Sequence, residues 1–147
     1  IAAETVARLV KNRNIIGVKE ASGSVERVSE ILELCKTSVM CGDDGITVPM
    51  MSVGAKGVIS VASNIIPAQL SKMVALCAAG KYAEALEIHN KYFRLFKDLF
   101  IESNPIPIKA AMAMMGMIEE EYRLPLCPMG EKNRETLKAT LKRCGAH

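Results

Sequence analysis

The sequence contains no tryptophan, and only three tyrosines and three phenylalanines among its 147 residues. That shortage argues against an aromatic platform on which nucleic-acid bases could stack. Lysine and arginine are scattered among aspartate and glutamate, and the net charge is only +3. No basic stripe follows from such a pattern, so nucleic acid is not an expected partner. The two histidines are His89 and His147, and the five cysteines (Cys35, Cys41, Cys77, Cys127 and Cys144) form no CxxC pair. A zinc site and a disulfide framework are therefore not expected, no metal is assigned, and free thiols fit a reducing cytoplasm. No apolar run reaches the roughly 18 residues of a membrane helix, and no secretory signal opens the chain, so no membrane role is expected. P-loop, dinucleotide and Ser/His/Asp signatures are also missing.

What remains is globular composition, half hydrophobic and about a quarter charged, and long enough for one ordinary domain. The first ten residues, IAAETVARLV, already read as a helix with Val6, Leu9 and Val10 on one face. A start without Met, inside a helix, sets the expectation that this is a segment of a longer protein, and a processed start would look the same.

Residues 15–19 form a short apolar run suited to a strand buried on both faces. Ser22, Gly23 and Ser24 then supply a turn and a helix cap. Val25, Val28, Ile31, Leu32 and Cys35 recur at helical spacing. A second strand is expected over 39–41, a short helix over 46–53 with Pro49 in its first turn, and a third strand over 57–61. Pro67 starts the next helix, with Leu70, Met73, Val74 and Cys77 on one face and Gly80 as its stop. Alternation at this spacing indicates parallel strands joined by crossover helices. From residue 81 onward only helices are expected: one over 81–101, one after Asn104-Pro105 ending at Gly116, and one over 131–144. The division is thus about three β/α units over 1–80 and a helical region over 81–147. A closed eight-stranded barrel typically needs about 250 residues, and three parallel strands alone leave two long edges. Either the chain completes its sheet with another polypeptide, or the rest of its barrel is missing.

Lys19 ends the first strand. Alternation puts residues 15, 17 and 19 on one face and 16 and 18 on the other. In a barrel, Lys19 would then point inward near the strand's C-terminal end, where barrel enzymes place chemistry. A desolvated lysine there becomes a nucleophilic amine that attacks a ketone to give an imine. The competing reading is a strand-end lysine in solvent, and spacing alone favours it. In CGDDG, the adjacent aspartates point in different directions, so a turn capping the next helix is the stronger reading than a metal site. Gly42, at a strand's C-terminal end, would let a ligand approach the backbone closely. Ile59, in GVISVASN, shares a face with Gly57 and Val61. It is either barrel filling or backbone lining the same mouth as Lys19. His89 reads as a solvated or interface histidine.

Taken together, NIIGVKEASGS, CGDDG, KGVISVASN and ESNPIPIKAAMAMMG, in this order and spacing, resemble the C-terminal half of the dihydrodipicolinate synthase family over essentially the whole chain. The resemblance implies an α/β fold: the C-terminal part of a (β/α)8 TIM barrel followed by a C-terminal helical domain, in a homotetramer. It implies a lyase that condenses pyruvate with aspartate semialdehyde on the diaminopimelate route to lysine, without a cofactor. By resemblance, Lys19 forms the Schiff base with pyruvate, the backbone of Ile59 borders bound pyruvate, and Gly42 lies at the same mouth. The same superfamily includes N-acetylneuraminate lyase, so another pyruvate-dependent aldolase is an alternative, as is a non-catalytic fragment that needs a partner chain. The family's proton-donating tyrosine, relay threonine and carboxylate-gripping arginine precede the Schiff-base lysine by tens of residues. Only eighteen residues precede Lys19 here, so the isolated segment is expected to be inactive without the missing N-terminal half of the barrel.

Overall fold

The computed structural model describes residues 1–146. His147, the last residue of the expected helical region, lies outside the described residues. In chain order the elements are α1 (Ala3–Leu9), β1 (Gly17–Glu20), α2 (Glu26–Leu34), β2 (Ser38–Cys41), α3 (Thr47–Ser52), β3 (Gly57–Val58), α4 (Pro67–Ala78), α5 (Tyr82–Asp98), α6 (Ile106–Met114) and α7 (Glu131–Cys144). The chain divides into two compact units. One combines Ile1–Ser60 with Lys72–Leu86; the other combines Val61–Ser71 with the chain from Glu87 onward.

In the first unit, β1, β2 and β3 lie side by side in that order, all parallel, as the alternation of elements predicts. Parallel neighbours need crossovers, which α2 and α3 provide. Gly17, Val18, Lys19 and Glu20 lie level with Ser38, Val39, Met40 and Cys41, and Met40 and Cys41 level with Gly57 and Val58. One face of this sheet is dry: Val39 and Cys41 are fully buried, as are Val28 and Ile31 of α2. Ser24 caps the α2 end of the turn as expected, its Oγ accepting from the Arg27 N–H.

The expectation of a strand over 15–19 buried on both faces needs correction. The strand starts two residues later, and Ile16 is 83% exposed. Only the Val18 and Glu20 side is turned toward buried neighbours, whereas Lys19 on the other side is exposed. No fourth strand lies beside β1 among the described residues, so Ile16 has no neighbour to cover it. The third strand is likewise shorter than the expected 57–61. The Ile59 N–H still donates to the Cys41 carbonyl at 2.8 Å, but β2 ends there and offers no further ladder partner.

Within the second unit, α6 packs on α7. Leu95, Phe96 and Leu99 of α5 and its C-terminal end, Ala110 and Ala111 of α6, and Leu137 of α7 are fully buried or nearly so. The predicted α7 matches, and its Gly145 adopts φ 73°, the left-handed conformation that closes a helix at little cost only for glycine. A buried polar bridge crosses this core. The carboxylate of Asp98, 2% exposed, accepts from Thr140 Oγ1 at 2.7 Å and from Arg94 Nε at 3.0 Å. Tyr122 donates to Glu120, which also accepts from Arg134, and burial followed by that carboxylate pushes the phenol up to about 12. His89 packs against the rings of Phe93 and Phe96, and burial lowers its imidazole below the ordinary range.

Two stability predictions follow from this unit. Asp98→Ala strands the buried Thr140 hydroxyl and should cost about 1–3 kcal/mol in urea unfolding. Because burial holds His89 neutral when folded, protonation favours the unfolded chain. The His89 contribution is therefore intact above the unfolded pKa and is lost as pH falls through about 6.5 and below. The loss of melting temperature on going from neutral to mildly acid pH should accordingly be smaller in His89→Gln than in the parent.

Candidate active site

Parallel pairing brings the C-terminal ends of β1, β2 and β3 to one edge of the sheet. Lys19 lies level with Met40, and Met40 level with Gly57, so these three share a face. Continuing the same ladder, the Gly42 N–H donates to the Glu20 carbonyl at 2.8 Å and the Ile59 N–H donates to the Cys41 carbonyl at 2.8 Å. Gly42 and Ile59 thus follow directly on β2 and β3, on the edge where Lys19 ends β1. The three residues singled out from the sequence, Lys19, Gly42 and Ile59, occupy one neighbourhood in space.

Their contacts are specific. A side chain at residue 42 would place its Cβ 2.9 Å from Lys19 Cε and 2.6 Å from Ala21 Cβ. Both distances are shorter than van der Waals contact allows. The space above Gly42 is therefore taken by the stem of the lysine itself. The same relation recurs one strand over, where a Cβ at Gly57 would lie 3.0 Å from Met40 Cε. Each long side chain leans across onto a glycine of the next strand. Ile59 is 50% exposed, and its side chain is free to border a ligand. A small cavity of about 280 Å³ opens at the end of β1, lined among others by Lys19, Glu20, Ser22 and Arg27.

The GDDG run behaves as a turn. Asp43 Oδ1 accepts from the Gly45 N–H at 2.8 Å, and the Asp43 carbonyl accepts from Thr47 Oγ1 at 3.1 Å at the start of α3. Asp44 is buried. No group of three or more metal-ligating side chains occurs among the described residues. Cys41, next to Gly42, is no rival nucleophile. Burial pushes its thiol up, and its Sγ faces the backbone of Asp43. Sequence reasoning did not single out Met40, Ala21 or Glu20. Of these, Met40 is revealed as a neighbour of Lys19 only by the strand register, which periodicity does not supply, whereas Glu20 and Ala21 follow it in the chain. Among the described residues, no helix is long and apolar enough to cross a membrane.

Known proteins share the sequence and fold of this chain. The family model described as the dihydrodipicolinate synthetase family matches residues 1–144. The chain is 56% identical over 144 residues to the 4-hydroxy-tetrahydrodipicolinate synthase of a Sulfurihydrogenibium species, covering 95% of this chain and 49% of that protein. Among solved structures, the 4-hydroxy-tetrahydrodipicolinate synthase of Methylacidiphilum fumariolicum superposes with a TM-score of 0.97 at 50% identity, covering 99% of this chain and 49% of that one. A chloride-inhibited dihydrodipicolinate synthase from Acinetobacter baumannii, complexed with pyruvate, gives 0.96 at 39% identity over 99% of this chain and 51% of that one. The chain spans about half the length of the curated relatives it matches. The fold is thus the α/β fold of part of a TIM-barrel enzyme, as the resemblance implies.

The packing above Gly42 makes a direct prediction. Gly42→Ala must push Lys19 Cε or Ala21 aside, and a displacement near 1 Å at a reacting group costs on the order of a hundredfold. If Lys19 reacts with a keto acid as the resemblance implies, its labelling by a keto acid and borohydride in the full-length protein should slow by about that factor at unchanged far-UV circular dichroism.

Proposed function

The chain belongs to the dihydrodipicolinate synthetase family, and from that premise we propose that Lys19 is the amine that forms a Schiff base with pyruvate. The observation that carries this reading is convergence. Lys19, Gly42 and the backbone of Ile59 meet at the C-terminal edge of a parallel sheet, with the lysine stem seated on the glycine. The pyruvate bound to the Acinetobacter relative supports the same choice of substrate.

The Lys19 amine adds through its lone pair to the C2 ketone of pyruvate, and loss of water leaves an iminium. The cationic nitrogen draws electrons from the neighbouring carbon, so the methyl group gives up a proton and an enamine forms. The enamine carbon attacks the aldehyde of aspartate semialdehyde. The amine of that second substrate then displaces Lys19 and closes the ring, returning the lysine free. Covalent catalysis by the lysine needs no cofactor. Gly42 and Ile59 border the bound pyruvate in this reading.

The whole enzyme is a 4-hydroxy-tetrahydrodipicolinate synthase of the diaminopimelate route to lysine, cytoplasmic and homotetrameric. In this reading the barrel region is 1–80 and the helical domain begins at residue 81, a functional division distinct from the two compact units of the packing. The proton-transferring residues and the grip on the second substrate come from a preceding half of the barrel, which also covers the exposed side of Lys19. Accordingly, the segment alone has little or no activity.

Borohydride reduction in the presence of pyruvate, followed by peptide mapping, tests the reading. In the full-length protein, the peptide containing Lys19 should gain the mass of pyruvic acid less one oxygen, and Lys19→Ala should remove both the adduct and turnover. An adduct at another lysine would sink the assignment. Turnover of sialic acid but not of aspartate semialdehyde would move the protein to the N-acetylneuraminate lyase branch.

A further inference from the structure

Glu20 directly follows Lys19, yet no step of the chemistry above uses it. Its position is unusual for a carboxylate. It is only 7% exposed, on the face of β1 opposite Lys19, level with the fully buried Cys41. Burying a carboxylate is costly unless hydrogen bonds replace its water. Here the Ser22 N–H donates to Glu20 Oε1 at 2.6 Å, a short charge-assisted bond that closes the turn after β1. The carbonyl of the same residue accepts from the Gly42 N–H at 2.8 Å. Residue 20 thus ties together the end of β1, the end of β2 and the turn between Ala21 and Ser22. Ala21 sits inside that turn. Its Cβ and Lys19 Cε both lie within 3 Å of the one point above Gly42 where a side chain would begin.

We infer that Glu20 is a positioning residue for Lys19: its buried carboxylate holds the turn that sets Ala21 beside Gly42 and so fixes the corridor through which the lysine stem reaches the mouth of the sheet. A water-accessible turn would serve as a mere chain reversal without a buried charge. A carboxylate bonded to the backbone two residues on leaves the turn little freedom. Lys19 itself is exposed and makes no side-chain hydrogen bond among those found in the described residues. The walls beside its stem are therefore what direct it.

The inference rests on the Schiff-base reading of Lys19, and the test separates the two. Single-turnover formation of the borohydride-trapped pyruvate adduct is measured in the full-length protein. Its rate constant does not change when only the folded fraction falls. Glu20→Ala should slow the adduct at Lys19 by roughly ten- to a hundredfold, the scale of a small misplacement. Glu20→Gln keeps an oxygen that accepts from the Ser22 N–H and should restore most of the rate. An unaltered rate in Glu20→Ala, with the adduct formed normally in the parent, would overturn the positioning role alone. Equal losses in both variants would also overturn it, because charge rather than the turn would then be the cause. A parent protein with no adduct at Lys19 would overturn the Schiff-base reading and this inference with it.

Discussion

The register of three parallel strands is the constraint on which the site depends. A parallel ladder brings the ends of successive strands to the same edge, because every strand runs the same way. Lys19, Gly42 and Ile59 are separated by more than twenty and by seventeen residues of chain. They become neighbours only because β1, β2 and β3 end together. A one-residue slip of β1 against β2 would turn Lys19 toward the buried face that Val39 and Cys41 occupy. The burial of Val39 and Cys41 on that face therefore fixes the opposite face as the one Lys19 takes.

The glycines beside this edge show how the pairing is translated into a direction for one side chain. Gly42 is confined neither by a left-handed backbone nor by a tight turn of its own. It is bounded by Lys19 Cε, Ala21 Cβ and the Glu20 carbonyl. Its small size is thus a packing requirement of the lysine stem. Gly57 and Met40 repeat the relation on the next strand pair. The reason first suggested for a glycine at residue 42 was a close approach by a ligand; the neighbour found there is the lysine stem.

Much of this was legible in the residues. Helix ends were marked by Pro67, Gly80, Gly116 and Gly145, and the run from 131 to 144 matched the helix it forms. Those signals are local: a proline or glycine constrains its own backbone whatever surrounds it. Strand extent was read less well, because a strand is defined by its neighbour. Ile16 has the composition of a buried residue and is 83% exposed. Residues 59–61 are apolar and β-branched in part, but β2 turns away after Cys41. At the site, periodicity supplied the face of Lys19 but not what lies beside it. Spacing alone favoured a solvent-exposed lysine over a catalytic one, and the four motifs, not the spacing, pointed to the Schiff base. Glu20 gave no signal, since a glutamate after a strand reads as solvated.

The exposure of Lys19 carries the last step. A nucleophilic lysine gains from a dry surrounding that disfavours its charged form, and from fixed groups that move protons. The segment provides the amine, a seat for its stem and a stiff turn beside it. On the face where pyruvate would lie it leaves Lys19 and half of Ile59 in water. The same face carries Met40, still partly exposed, beside the buried Gly57. Ile16 is exposed, and among the described residues β1 has no strand paired to its other edge. One cover, a preceding half of the barrel, would therefore do three things at once. It would pair the open edge, bury the apolar surface and dry the amine. In this arrangement the step that completes the fold would also be the step that dries the lysine, so stability and the proposed chemistry would be gained together.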